Sequence, residues 1–522
     1  MPRPDPSAVA GASARVSAAL AFVLLTAQML LPWCVPLLIT QDGPSHLYTA
    51  TIARDLVFHG GALYGAVYHL QPLTNPNWAT TVLLAGLSAL AGVEHAEKLL
   101  MSLCLLGGFL AFRYASRAAW SPVANFVVQA WFLWIGYYNF YIGMVLCLFV
   151  AGFYLRHAAA LTWPRALLIA VGGVGLALTH PVPAALTIVT LGTLALWAVI
   201  FNHQHWRTCM PAILALSPAI VLLMLFARRT HAPVHYMPDA WHSLKYFPMQ
   251  AFATAGGTWG TQLWAWPVML AAIVAGMLLM RREEWRGPRG ALAVVAALCF
   301  AGYLLLPDEG FGGGEAKIRF AWATFLFGAL MVTGVQRLRA WQLPLTMWLA
   351  VTLAVNLAVT LKTARGLSAV ARDYLTATSA IPPGARFVRL RYHTPSIPWR
   401  YGFSGNFSDP LLHLDAYAAV TGRSVDLADW QPANPVFSVG LNRGLTDQGQ
   451  ALWSLESPFP DGSGTLRQLR QTLPIEYVVV VGEDTAEATR GTDFQQLLAE
   501  LESSAHLVAT SNHGFVGVYR GR

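Results

Sequence analysis

Up to about residue 362, apolar residues come in long blocks rather than in alternation. Apolar runs cover residues 16–40, 97–113, 121–136, 139–155, 164–179 and 183–201, then 210–227, 262–280, 291–306, 319–335 and 343–362. With some help from its flanks, each is long enough for a helix to cross about 30 Å of hydrocarbon. Eleven transmembrane helices are therefore expected. None carries Asp, Glu, Lys or Arg in its interior, and ionisable groups such as Arg319 and Lys362 stand at the ends. A further run, Ala79 to Val93, is shorter.

Beyond residue 362 the pattern changes. "SAIPPGARFVRLRYH" breaks at Pro382, Pro383 and Gly384 and then alternates as a half-buried strand does. "PIEYVVVVGED", the amphipathic "DFQQLLAELESS" and "LVATSNHGFVGVYR" read as a strand, a helix and a hairpin-like pair with "NHG" at the turn. The expected architecture is an all-α polytopic membrane domain, residues 1–362, followed by a small external α/β domain, residues 363–522. The first external loop, residues 41–96, belongs to the membrane domain in this reading.

Orientation follows from where Lys and Arg collect in short loops. Arg113 with Arg117, "LRH" with Arg165, Arg207, the stretch Arg281 to Arg289, and Arg337 with Arg339 all fit a cytoplasmic side. That leaves residues 41–96, the "GYYNF" turn, "THPVP", residues 228–261, residues 307–318 and the tail outside, with the N-terminus inside. If Ala79 to Val93 also spanned, everything after it would reverse. It is therefore expected to be interfacial or re-entrant; the alternative is that it spans and one of the runs flanking "GYYNF" does not.

Composition fixes the class. The 522 residues are 55% hydrophobic and only 11% charged, with a mean hydropathy of +0.48, far from the soluble norm of about a quarter charged. The formal charge of +8 suits cytoplasmic loops and lipid phosphates, not nucleic acid. The five cysteines all lie in or beside apolar runs, and no disulfide framework or zinc spacing is present. Pro32 and Trp33 before Cys34 argue against a lipoprotein site, and the run 16–40 is too long for a signal-peptide core. The expected location is a bacterial plasma membrane, with the tail in the periplasm.

Candidate chemistry gathers in the loops expected outside. "TQDGPSHLY" follows the first span and brings Gln41, Asp42 and His46, then Arg54 and Asp55. Asp-Gly-Pro is also a good turn, and Asp42 or Ser45 could simply cap the helix that follows. Other loops carry Tyr138 and Asn139 in "GYYNF", His180 in "THPVP", then Arg228, Arg229, His231, His235 and Lys245, and finally Asp308, Glu309, Glu315, Lys317 and Arg319 in "LPDEGFGGGEAKIRF". The aromatics Tyr137, Tyr138, Phe140, Trp241, Trp259 and Trp264 fit an interfacial belt, a few of them also suiting a sugar or an isoprenoid chain. The absence of charges inside the spans, and of a hydropathy repeat between halves, argues against an ion-coupled transporter.

An acidic loop after the first span, a later aromatic-Asn loop, many spans and a C-terminal domain resemble the GT-C glycosyltransferase superfamily. More closely, "DGPSHLY", "NPNW", "AEKLL", "GYYNFYIG" and "LPDEGFGGGEAKIRF" resemble a group of bacterial membrane proteins of that type. The resemblance implies inverting transfer of a hexosyl or pentosyl group from a polyprenyl-phosphate donor to a glycan, lipid or protein acceptor. It makes Asp42 the catalytic base, supported by His46. Lys317 and Arg319, or Arg228 and Arg229, would hold the donor phosphate. Tyr138, Asn139, His180 and Glu309 would shape the pocket, and "HLDAY" (His413, Asp415, Tyr417) would help close the acceptor side. Metal-using relatives carry a second acidic motif where this chain has Asn139, so no obligatory metal is expected, a divalent cation being the alternative. A lipid-linked-sugar flippase and a non-catalytic envelope scaffold are the rival readings.

Overall fold

In the computed structural model, described for residues 6–116, 122–202, 206–229, 259–307, 316–391, 411–446, 466–467, 469–471, 473–482 and 492–522, each of the eleven apolar runs lies on helix. The first are α1 (Pro6–Leu30), α4 (Val93–Ser116), α5 (Pro122–Val128), α6 (Trp131–Ile135), α7 (Tyr138–His157), α8 (Trp163–Thr179), α9 (Pro181–Asn202), α10 (Trp206–Ala215) and α11 (Ser217–Arg229). Helices Trp259–Leu279, Pro288–Leu305, Ala316–Val332 and Gln342–Thr378 follow. Two further helices, α2 (Gly43–Phe58) and α3 (Trp78–Ala91), lie in the first loop. Among the described residues six helices are long and apolar enough to cross a membrane, or seven if the bent pair α10–α11 is one span. The protein is a multi-pass membrane protein, and large apolar side chains such as Phe22, Val23, Leu167 and Leu278 point outward from these helices.

Helix α3 spans 14 residues, about 21 Å at 1.5 Å per residue, less than the hydrocarbon thickness. The run at α5 and α6 is broken at Gln129 and Ala130. A break inside an apolar layer strands backbone carbonyls, which must find partners. Tyr141 donates its hydroxyl to the Val128 carbonyl at 2.9 Å, and the Trp322 indole N–H donates to that of Val127 at 3.1 Å. Buried amides tie the same segment to α1: Gln28 Nε2 donates to the Asn125 carbonyl and to Gln129 Oε1, and Asn125 Nδ2 donates to the Ala21 carbonyl.

The chain divides into two compact units. The first comprises residues 1–32, 101–134 and 138–360. The second gathers residues 33–100, 135–137 and 361–522, so the first loop clusters with the tail rather than with the spans. The reason lies in backbone pairing. In the second unit β1 (Tyr68–Leu70), from the loop, is antiparallel to β4 (Val439–Leu441), from the tail.

The tail's own sheet has the order β3-β2-β5-β7-β6. Strands β2 (Arg386–Arg391), β3 (Val425–Asp426) and β5 (Tyr477–Val481) are parallel, and β6 (Ala505–Thr510) and β7 (Val516–Gly521) form an antiparallel hairpin. The "NHG" turn joins this hairpin as expected. The hairpin is fastened by Asp373, whose carboxylate accepts from the Asn512 backbone N–H at 2.7 Å and pairs with the His513 ring at 2.7 Å. The alternation in "RFVRLR" does not give a half-exposed strand: Phe387 to Arg391 are all buried, because β2 lies inside the sheet and Arg389 finds Asp415 and backbone carbonyls as partners.

Candidate active site

The second unit assembles a buried polar cluster around Asp42. The first span ends near Cys34, and the chain turns through "TQDGP" into α2. Asp42 takes the N-cap position with φ −96° and ψ −11°, yet its side chain makes no capping hydrogen bond. An aspartate present only to start a helix would bond the free N–H groups of the first turn. This carboxylate is 5% exposed and faces elsewhere. Gln41 Nε2 donates to Asp42 Oδ1 at 3.1 Å, and Nε2 of His413, from the tail, lies 3.7 Å from the same oxygen.

Distant stretches of sequence fix that loop and the segments around it. The Asp42 backbone N–H donates to the Ile135 carbonyl at 2.7 Å, joining "QDG" to "IGYY". Thr40 Oγ1 donates to Glu97 Oε1 at 2.6 Å and accepts from the Gly43 N–H at 3.0 Å, which brings in "AEKLL". A side chain at Gly43 would overlap the Glu97 carboxylate. Lys98 Nζ donates to the Val35 and Pro36 carbonyls, both at 2.8 Å. The asparagines of "NPNW" hold the tail: Asn75 and Asn77 donate to the carbonyls of Pro435 and Val436.

His46 is also buried and bonds across to the tail. Gln431 uses its amide oxygen for the Thr49 hydroxyl, so its NH2 donates to His46 Nδ1 at 3.1 Å. The remaining ring N–H serves the Gly136 backbone carbonyl. Thus His46 joins the first loop, the "GYYNF" turn and the tail. Ser45 donates to Asp429 rather than capping α2.

Behind this layer lies a charged core. Arg389 on β2 and Asp415 pair at 2.7 Å, each side chain 1% exposed, and Arg389 also donates to the Leu412 carbonyl. Asp426 lies against Asp415. Burial, then that neighbour, pushes the Asp426 carboxyl well above the usual carboxylate range, so it is held neutral.

The first unit holds candidates of its own. Phe140 packs edge-on against His180, ring centroids 5.6 Å apart, and the Arg319 guanidinium lies 5.6 Å from the Phe140 centroid. Trp322 stacks on Tyr141 and meets Phe140. His180 Nδ1 accepts the Val182 N–H at 3.1 Å, starting α9. Tyr138, Asn139 and Lys317 are buried. Arg228 and Arg229 are exposed on the last turn of α11, and the described contacts bring them into neither group. Glu309, with Asp308, Glu315, His231, His235, Lys245 and Trp241, lies outside the described residues. Among the described residues no three or more His, Cys, Asp and Glu side chains are grouped to hold a metal ion.

No protein-family model matches the sequence, and no curated protein matches it significantly. Two solved structures align along almost its entire length. ArnT from Cupriavidus metallidurans in the apo state gives a TM-score of 0.53, and the same enzyme bound to undecaprenyl phosphate gives 0.52. Each is 12% identical and covers 96% of this chain and 97% of its own. The chain has the GT-C fold. An Archaeoglobus fulgidus oligosaccharyltransferase tethered with an acceptor peptide, also 12% identical, aligns at 0.46 over 97% of this chain and 74% of its own, a score too low to carry an argument.

Within this GT-C fold, the sequence pointed to Asp42, His46 and His413 as candidates, and the structure places all three in one buried cluster. Sequence reasoning assigned no role to Asp429, Gln431 or Glu97, which bond to the same loop and helix. Asp429 and Gln431 sit in "LADWQP", whose only signal was one acid beside a tryptophan. Glu97 was legible only as part of a motif, with no role attached.

The His46 geometry has a testable consequence. Burial, then the nearby His413, holds its imidazole down to about 3, with the Gly136 backbone bond opposing. Its folded value is thus below the unfolded one near 6.5, so the unfolded chain binds the proton first as pH falls. Stability is full above about pH 6.5 and declines by about 1.4 kcal/mol per pH unit on acidification toward pH 3. Thermal unfolding of the full chain between pH 7.5 and 4.5 should show this loss, and His46→Gln should flatten the slope. An unchanged slope in the variant would assign the acid sensitivity to other groups.

Proposed function

We propose that this chain is a membrane glycosyltransferase that moves a sugar from a polyprenyl-phosphate donor to an acceptor in the bacterial cell envelope, with the tail on the periplasmic side of the plasma membrane. One observation carries the reading: the Asp42 carboxylate occupies a helix-capping position without capping and is held by polar groups from distant segments. The GT-C fold supports it, as does ArnT, a structural neighbour that binds undecaprenyl phosphate.

In this scheme Asp42 takes the proton from an acceptor hydroxyl or amine as that atom attacks the anomeric carbon of the donor. The bond from that carbon to the phosphate oxygen breaks, and polyprenyl phosphate leaves with the electron pair. A single displacement inverts the anomeric centre. The leaving phosphate needs positive charge, for which Lys317 and Arg319 are the candidates. Tyr138, Asn139 and His180 belong to the same described unit as these cations and are the candidates for shaping the donor pocket. Asn139 supplies no second carboxylate, so the scheme uses no obligatory metal.

The test is transfer by purified wild type and Asp42→Asn, offered radiolabelled polyprenyl-phosphate sugars with envelope extract as acceptor, with and without a chelator. The variant should keep its thermal unfolding profile and lose about 10²- to 10⁴-fold in rate, the usual worth of a general base; the chelator should change nothing. A variant that transfers at the wild-type rate would remove Asp42 from the chemistry.

A further inference from the structure

The tail supplies a histidine to the Asp42 carboxylate. His413 is 2% exposed and immediately precedes the helix Leu414–Gly422, which packs on α2. Trp430 stacks on the imidazole at 5.9 Å with an interplanar angle of 27°, and is itself braced edge-on by Phe437 at 4.8 Å. The stacking fixes the ring plane, and Nε2 points at Asp42 Oδ1 from 3.7 Å. Gln41 donates to that same oxygen at 3.1 Å.

We propose that His413 is a positioning residue that holds the Asp42 carboxylate ionised and in one orientation. The role of that carboxylate in transfer rests on the functional reading above; the contact itself does not. The distance is just beyond a hydrogen bond, as bonds around a base often are before substrate binds, and a small approach of the carboxylate closes it.

The charge state of the ring matters. An imidazolium would form a full ion pair and weaken Asp42 as a base; a neutral ring donates one hydrogen bond and leaves the carboxylate basic. The groups around His413 are Asp42 from the first loop, His46 from α2, and Asp415, Asp429 and Arg389 from the tail. Burial dominates and lowers its value, the three carboxylates acting against this and Arg389 with it. The ring is therefore a neutral donor at neutral pH. Asp429 is engaged by Ser45, and Asp415 by Arg389.

Two readouts on the full-length protein test this, using His413→Phe, which keeps a flat ring without a donor, and His413→Gln, which restores an amide N–H. The first is pH-titrated infrared difference spectroscopy, comparing each protein with its Asp42→Asn counterpart so that the Asp42 carboxyl alone is seen. Loss of one hydrogen bond to the charged form should raise the Asp42 midpoint by about one to two pH units in His413→Phe, and His413→Gln should return it most of the way. The second is transfer kinetics. His413→Phe should lower kcat about 10- to 100-fold with the donor KM unchanged and the acid limb of the pH profile moved up, and should have no further effect when combined with Asp42→Asn. An unmoved midpoint in His413→Phe, or equal damage in His413→Gln, overturns the proposal. A moved midpoint in His413→Phe, together with a wild type that transfers no sugar, would leave the positioning in place and overturn the functional reading instead.

Discussion

Asp415→Ala will cost the second unit about 3–5 kcal/mol, because it leaves a buried guanidinium without its counter-charge. Arg389 sits on an inner strand with 1% of its side chain exposed, and neither β3 nor β5 can move aside to admit water without breaking the ladder. Removing Asp415 also removes the neighbour against which Asp426 lies. The expected readout is amide exchange in the full-length protein: peptides covering residues 386–391 and 477–481 should lose protection, while those from α7 and α9 should not. A double change, Asp415→Leu with Arg389→Met, should recover most of the loss, since a well-packed apolar pair of similar volume replaces an ion pair at little net cost. If the single variant exchanged like wild type, the pair would have to be hydrated in solution.

Gly136→Ala should disable the site without touching any ionisable group. Gly136 has φ +89°, a backbone region that a side chain makes costly. An added Cβ would lie 2.6 Å from the Gly43 nitrogen and 2.9 Å from Thr40 Oγ1, and the first of these is backbone that cannot rotate away. Together the strain and the overlap should cost roughly 2–5 kcal/mol. The strain falls on the loop that carries Asp42 and on the carbonyl that takes the His46 ring bond. Exchange at residues 40–48 should rise sharply and transfer should drop at least 100-fold. Gly86→Ala is the control: it sits in α3 with nothing within 4 Å of an added Cβ, and it should be neutral or slightly stabilising. A Gly136 variant as benign as this control would mean that the loop has room to retreat.

How much of this was visible in the sequence depended on the range of the interaction. The apolar blocks gave the multi-pass character and the helices, because hydrocarbon admits few alternatives; of the eleven expected spans, six or seven among the described residues are helices long and apolar enough to cross. The blocks did not give the breaks. The interruption at Gln129 and Ala130 follows no glycine or proline signal and is made possible by Tyr141 and Trp322, side chains on other helices. The bend of 44° between α10 and α11 did carry a local signal, Pro218 at the start of α11, which the run of apolar residues 210–227 concealed. In the tail, "RFVRLR" alternates as a strand with a wet face would, but the arginine face is closed by Asp415 and backbone carbonyls.

The candidate base was legible because Asp-Gly-Pro stands out after a long apolar run. Its capping role, an equally good local reading, was excluded only by the direction of the side chain. His413, Asp429 and Gln431 reach the first loop across 370 or more intervening positions, and no local pattern reports a contact of that range.

The pairing of β1 with β4 bears on how the protein is made. Residues 68–70 leave the ribosome early, and residues 439–441 emerge only after the last span has been synthesised. Until then the Tyr48 hydroxyl, which accepts from the Asp426 backbone N–H, the Tyr68 hydroxyl, which donates to the Asp426 carbonyl, and Asn75 and Asn77 have no tail to bond, although α2 and α3 can already form as helices. The loop that carries Asp42 therefore waits in an unfinished state through the insertion of most of the membrane helices, and the site can close only as synthesis ends.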